Sequence, residues 1–185
     1  METWEWIVIA AVAGAAVVFL LALFSVWRKR RRRAHLQDRF GHEYERTVSS
    51  EGRKDGESRL RSIEEEHDEL DLKPLSSAAR ERYLEQWNQA EARFLDDPRD
   101  AARSAERIVI RVLEERGYPE DLDDERRAAH VAADHPDVGE RFRHGHAMVE
   151  SNGDVDTEDM RKAMMDFRAV LDELIDVDAR ETSKA

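Results

Sequence analysis

Residues 4–33 read WEWIVIAAVAGAAVVFLLALFSVWRKRRRR, and this stretch governs how the rest of the chain is placed. From Ile7 to Val26 there are 20 residues without a charge, and Ser25 is the one polar side chain among them. About 20 apolar residues in a helix cross the roughly 30 Å hydrocarbon core of a bilayer. A helix satisfies its own backbone hydrogen bonds, which lipid cannot do. Trp4 and Trp6 before the run and Trp27 after it match the aromatic belts of the two interfaces. Arg28, Lys29, Arg30, Arg31, Arg32 and Arg33 follow at once, whereas Glu2 and Glu5 precede. Positive residues stay on the cytoplasmic side. The stretch therefore predicts a short external N-terminus over 1–6, a transmembrane helix over 7–27 and a basic stop-transfer run over 28–33. The nine residues Trp4, Trp6, Trp27 and Arg28 to Arg33 form the expected membrane interface.

A cleaved signal peptide fits less well. It needs a basic start, a core of roughly 7–15 apolar residues and a small-residue cleavage site. Here the start is acidic, the core is longer, and Trp27 and arginines follow it. The chain has no cysteine, so lipoprotein attachment, disulfides and thiolate chemistry are excluded for this sequence. Ala10 and Gly14 stand four apart, a spacing that lets transmembrane helices approach closely, although alanine-rich spans also occur without pairing. The basic run is suited to anionic headgroups as well as to setting topology.

The whole chain has 185 residues and a formal net charge of −12. Setting aside the six cations and the two early glutamates leaves −16 on residues 34–185. A body so acidic argues against nucleic acid as a partner. Arginine outnumbers lysine 25 to 5, which suggests a GC-rich, bacterial coding genome. The expected location is a bacterial inner membrane, with the C-terminal part in the cytoplasm.

Beyond the cations the pattern is helical throughout, and the fold class read from it is all-α. Leu36, Phe40, Tyr44 and Val48 recur every fourth residue, predicting that the helix continues through Gly41 until Ser49, Ser50, Gly52 and Gly56 break it. Leu60, Ile63, His67 and Leu70 mark a second neck helix over 57–72, ended by Lys73-Pro74. Residues 34–73 are thus a helical neck, which either projects or folds back. Residues 74–177 read as a four- to five-helix bundle, with a disordered tail over 178–185.

Within the bundle, Ser76 or Ser77 caps a helix reaching Leu95, with Tyr83, Leu84, Trp87, Phe94 and Leu95 inward. Asp97-Pro98 opens the next helix, since proline suits the first helical position and aspartate caps it. Ala101, Ala105, Ile108, Val109, Val112 and Leu113 form its stripe, and Gly117 stops it. A shorter helix covers Asp123 to Ala133, and His135-Pro136 starts one to Glu150 with Val138, Phe142, His146 and Val149 on one face. Ser151 to Asp154 is a turn. Asp156 or Thr157 caps the last helix, whose stripe is Met160, Met164, Phe167, Leu171 and Leu174.

Chemistry is sparsely signalled. His130, His135, His144 and His146 fall within 17 residues, close to Asp134, Asp137 and Glu140. Metal sites do combine histidine with carboxylate. However, His144 and His146 are two apart and point in opposing directions on a helix. No HExxH and no paired Glu-x-x-His occurs. The plainer expectation puts His146 on an apolar face, His135 at a cap, and His130 and His144 at the surface. No nucleophile elbow or P-loop is present, so no catalytic residue, metal ligand or cofactor is assigned. The turns Arg116-Gly117-Tyr118-Pro119 and Asp134-His135-Pro136, both at helix ends, are candidates for a shared surface.

The motif order is familiar. After the basic stop it runs Phe40-Gly41-His42-Glu43-Tyr44-Glu45-Arg46-Thr47-Val48, then Arg82-Tyr83 with Trp87, then Phe94-Leu95-Asp96-Asp97-Pro98. The two turns above and Thr157-Glu158-Asp159-Met160-Arg161 complete it. Over nearly its whole length the chain resembles a family of bacterial single-pass membrane proteins with a helical cytoplasmic region, usually labelled hypothetical or secreted. The resemblance implies this architecture and carries no catalytic or binding residue. The expected role is interaction, with membrane lipid and with a protein partner or a second copy, and no small-molecule substrate is evident. Two alternatives are an accessory subunit acting through its transmembrane helix, and a small-ligand or metal sensor with a pocket in the bundle.

Overall fold

The computed structural model describes the backbone of residues 3–151 and 156–182, and the side chains of Gly14, 18–151 and 156–175. The regular structure among the described residues is all helix, with no strand. Their order is α1 (Thr3–Phe40), α2 (His42–Glu51), α3 (Arg53–Asp68), α4 (Ser77–Ala92), α5 (Pro98–Arg116), α6 (Asp124–Asp134), α7 (Pro136–Glu150) and α8 (Thr157–Thr182). Among the described residues no helix is long and apolar enough to cross a membrane. Half of the uncharged run, residues 7–13 and 15–17, falls outside the described side chains. The transmembrane reading of 7–27 thus rests on the sequence.

Local chemistry explains most boundaries. The Ser76 hydroxyl accepts from the Ala79 amide (3.1 Å) at the start of α4. Asp97 accepts from the Asp100 amide (3.0 Å) ahead of Pro98, and Asp123 from the Arg126 amide (2.7 Å). Asp156 does the same for Asp159 (2.8 Å) at α8. Each satisfies an amide that has no partner inside its helix. Gly117 ends α5 in the left-handed region, at φ 105°.

Several boundaries differ from the expected ones, among them the second neck helix, expected over 57–72, which runs Arg53–Asp68 as α3. Gly41 does break the first helix: its φ of 51° turns the chain between α1 and α2, a conformation that disfavours any residue with a Cβ. Gly56, expected in the break, lies inside α3, where an added Cβ would stand 3.1 Å from the Thr47 carbonyl oxygen. There the backbone of α3 lies directly against the backbone of α2 at Thr47 and Val48. At the C-terminus α8 runs to Thr182, past the expected start of a tail at 178, and residues 183–185 lie outside the description. Of the turn Ser151–Asp154, only Ser151 is described.

Two hydrophobic clusters hold the molecule together. The first joins α4, α5, α7 and α8 through Trp87, Val109, Leu113, Phe142, Phe167 and Leu171. The second joins α1, α2 and α3 to α6 through Leu36, Phe40, Tyr44, Leu60, Ile63 and three alanines, Ala129, Ala132 and Ala133. α6 is the wall between them, since its Ala128 and Val131 face the first cluster. The neck is therefore folded back: α1 and α3 pack on α6, and α2 on α7. One apolar residue departs from expectation. Leu95 is 93 % exposed, because α4 ends at Ala92 and residues 93–96 turn away from the core.

Candidate functional site

At the end of the uncharged run, α1 presents apolar side chains that no other described residue covers. From Val18 to Trp27 the large hydrophobics are half to two-thirds exposed, Phe19 at 64 % and Trp27 at 48 %. The Arg31 guanidinium lies 4.0 Å from the centre of the Trp27 ring, a cation–π contact suited to a residue that is apolar at one end and wet at the other. Arg28 to Arg32 are exposed, and Arg33 pairs with Glu57 of α3 (3.0 Å). Of the expected interface residues, Trp4 and Trp6 lie outside the described side chains.

Nearly two helical turns further on, α1 is bolted to the domain. Arg39 donates to Glu64 (3.0 Å) and Asp68 (2.6 Å) of α3 and to the Ala133 carbonyl of α6 (3.3 Å). Its hydrogen bond holds the Asp68 carboxyl below the usual range. On the far side, buried Glu43 of α2 takes the guanidinium of Arg143 of α7 (2.5 Å), and Arg46 reaches Glu125 of α6. Sequence reading missed Arg39, Glu43 and Arg143, because their partners are far along the chain.

Between α3 and α6 lies a buried polar cluster. His67 Nε2 is 2.9 Å from Asp134 Oδ2, and the His67 and His130 rings stand 5.8 Å apart, centre to centre. The Tyr118 hydroxyl donates to Asp134 (3.5 Å), so the two turns singled out in the sequence do meet here. His130, expected at the surface, is fully buried. Among the described residues neither of its ring nitrogens makes a hydrogen bond, and Glu66 Oε2 is 3.7 Å from Nε2. Burial, with His67 alongside, pushes the His130 imidazole below its ordinary pKa. Burial alone would raise Asp134, but the hydrogen bond and charge of His67, with His135 and Arg39, outweigh it and hold the carboxyl low. Burial drives the Tyr118 hydroxyl well above its usual range.

The remaining histidines are dispersed. His146 sits between Glu106 (Nδ1 to Oε1, 2.6 Å) and Asp124 (Nε2 to Oδ2, 3.3 Å) and stacks on Phe142. Burial raises the Glu106 carboxyl, opposed by the His146 hydrogen bond. His144 pairs with Asp166 (2.5 Å), and His135 lies 3.6 Å from Glu173. Of the four histidines weighed together in the sequence, His135 and His144 line one cleft between α7 and α8, while His130 and His146 lie apart from it and from each other. Among the described residues no group of three or more histidines and carboxylates is disposed to hold a metal.

Two open clefts lie on the bundle. One, of about 760 Å³, runs between α7 and α8 and is lined by charges of both signs, including Arg141, His144, Lys162, Asp166 and Glu173. The other, of about 470 Å³, lies between α4 and α8; Leu95, Phe94, Met164 and Met165 make it apolar. No family model, curated protein or solved structure matches the chain.

Proposed function

We propose that this chain is a single-pass protein of a bacterial plasma membrane, N-terminus outside, whose acidic helical domain stands at the cytoplasmic face as an interaction module. It holds a protein partner, or a second copy of itself, next to the bilayer. The observation that carries this reading is the continuity of α1. One helix of 38 residues includes the uncharged run, the six cations and then Phe40, which is buried in the domain. The exposed apolar side chains from Val18 to Trp27 match a lipid surrounding, and the cations sit where headgroups would be. The apolar cleft between α4 and α8, with Leu95 and Met165 on its rim, supports interaction as the domain's work.

The absence of cysteine offers a direct test of topology. Single-cysteine chains Glu2→Cys and Ser183→Cys are expressed in bacteria and treated with a membrane-impermeant maleimide. Glu2→Cys is expected to label in intact cells and Ser183→Cys only after lysis, with both resisting carbonate extraction. Extraction by carbonate, or the opposite labelling, overturns the reading. Cross-linking in native membranes tests the interaction half, and a clean monomer without neighbours counts against it.

A further inference from the structure

A cleft of about 400 Å³ opens between α1 and α3, just past the uncharged run. Six cations line it: Lys29, Arg32 and Arg33 from α1, and Arg53, Lys54 and Arg61 from α3. On α1 the spacing 29, 32, 33, 36 is one helical face, whose last member, Leu36, is buried against the domain. Only half of the basic run therefore faces α3. Arg28, Arg30 and Arg31 do not line the cleft.

Three features make this cleft short of negative charge. Its one lining acid, Glu57, is already engaged by Arg33 (3.0 Å) and by the Tyr44 hydroxyl (3.0 Å). Among the described residues Lys29, Arg32, Arg53 and Lys54 have no carboxylate in ion-pair contact. The N-terminus of α3 lies at the cleft: Arg53 and Lys54, which line it, open the helix after Gly52, no side chain caps that end, and the acid of the first turn, Asp55, does not line the cleft. Cations in a first turn oppose the helix dipole, and uncapped first-turn amides are ready donors to an anion.

We infer that the cleft binds the phosphate of an anionic lipid headgroup, clamped between the two helices. The inference rests on the membrane reading of α1, which places the cleft at headgroup depth. Arginine and lysine on two sides of a phosphate are the usual means of recognising it. A lipid so held would fasten α3 to α1 from the bilayer side, as Arg39 fastens them from the domain side.

The test uses the full chain in neutral detergent micelles with equimolar phosphatidylglycerol and phosphatidylcholine, the lipid retained per chain being read by native mass spectrometry. Two variants remove the same charge: Arg53→Gln with Lys54→Gln, in the cleft, and Arg28→Gln with Arg30→Gln, outside it but nearer the uncharged run. All four residues are exposed. Wild type is expected to retain phosphatidylglycerol in preference. The cleft variant is expected to lose about tenfold or more, since each cation contributes a severalfold factor toward an anionic headgroup. The outside variant is expected to keep most of it. Equal losses, or no preference in wild type, overturn the site. Millimolar inorganic phosphate displacing the lipid would make free phosphate the ligand and overturn the lipid assignment. Carbonate extraction of the same chains separates the two readings: a chain that stays in membranes while both variants lose lipid equally refutes the cleft and leaves the anchor standing.

Discussion

Replacing Phe40 by alanine tests whether α1 is held by the second cluster as a unit distinct from the main core. The ring is completely buried, at the crossing of α1, α2, α3 and α6. Truncating a buried Phe to Ala costs about 3–5 kcal/mol from lost transfer energy and residual cavity. The neighbours that could collapse into the space are chiefly Leu36, Tyr44, Leu60 and Ile63, and the facing side of α6 is alanine, which cannot extend to fill it. A value near 4 kcal/mol is therefore expected, about a thousandfold in an opening equilibrium. The loss should be local, because the first cluster does not use Phe40. Amide exchange by mass spectrometry reads this directly. Peptides from α2 and α3 should exchange up to about a thousandfold faster, whereas those from α5 and α8 stay within a few-fold of wild type. Equal acceleration across α2, α3, α5 and α8 would show one cooperative core and refute the two-cluster argument. No acceleration in α2 and α3 would refute the seating of Phe40.

Other substitutions follow from the same packing. Gly139→Ala would put a Cβ 2.6 Å from the Ala128 carbonyl oxygen, forcing α6 and α7 apart. It should cost about 1–3 kcal/mol, read as a lower urea midpoint with an unchanged slope. Asp97→Ala removes the cap of α5 at about 1 kcal/mol, whereas Leu95→Ala, two residues earlier on exposed surface, should stay within about 0.5 kcal/mol. Thermal denaturation of the pair in parallel distinguishes them. The buried imidazole of His130 gives a pH dependence. Its folded pKa lies below the ordinary histidine value, so the unfolded chain binds the proton more readily. Its contribution to stability is complete above about pH 6.5 and is lost as the pH falls below that value. Urea unfolding from pH 7.5 to 5 should show a steeper loss in wild type than in His130→Gln, the difference isolating this group from Glu66, His67 and Arg126 around it. Parallel curves would refute it.

Helix starts were legible in the sequence where one side chain decides them. Ser76, Asp97 and Asp123 each cap within three residues, so no distant partner is needed. The stripes of α5 and α8 were legible for the same reason, since each faces a single core. α6 was not, because its alanines serve two clusters and leave no one-sided pattern. That double burial is also why His130 was misplaced: a polar residue on a short helix reads as surface until a second wall arrives from α3. Gly41 was read as a mild interruption, because its turn is demanded by tertiary packing, where Pro136 comes within 3.0 Å of the site of a missing Cβ. The cation face at Lys29, Arg32 and Arg33 was hidden in a uniform basic run; only the position of α3 divides it.

The unbroken passage of α1 into the domain fixes helical phase between the two. Each residue advances a helix by about 1.5 Å and turns it by about 100°. From Val26 to Leu36 that is roughly 15 Å, with no joint to absorb a twist. Adding a single alanine after Arg33 would swing the domain by about 100° relative to the first 26 residues while moving it hardly at all. Four added residues would bring it back to within about 40° of the original facing, one further turn out. A partner that reads both the uncharged run and the domain would therefore respond to insertion length with the period of the helix, as a key does to the angle of its teeth.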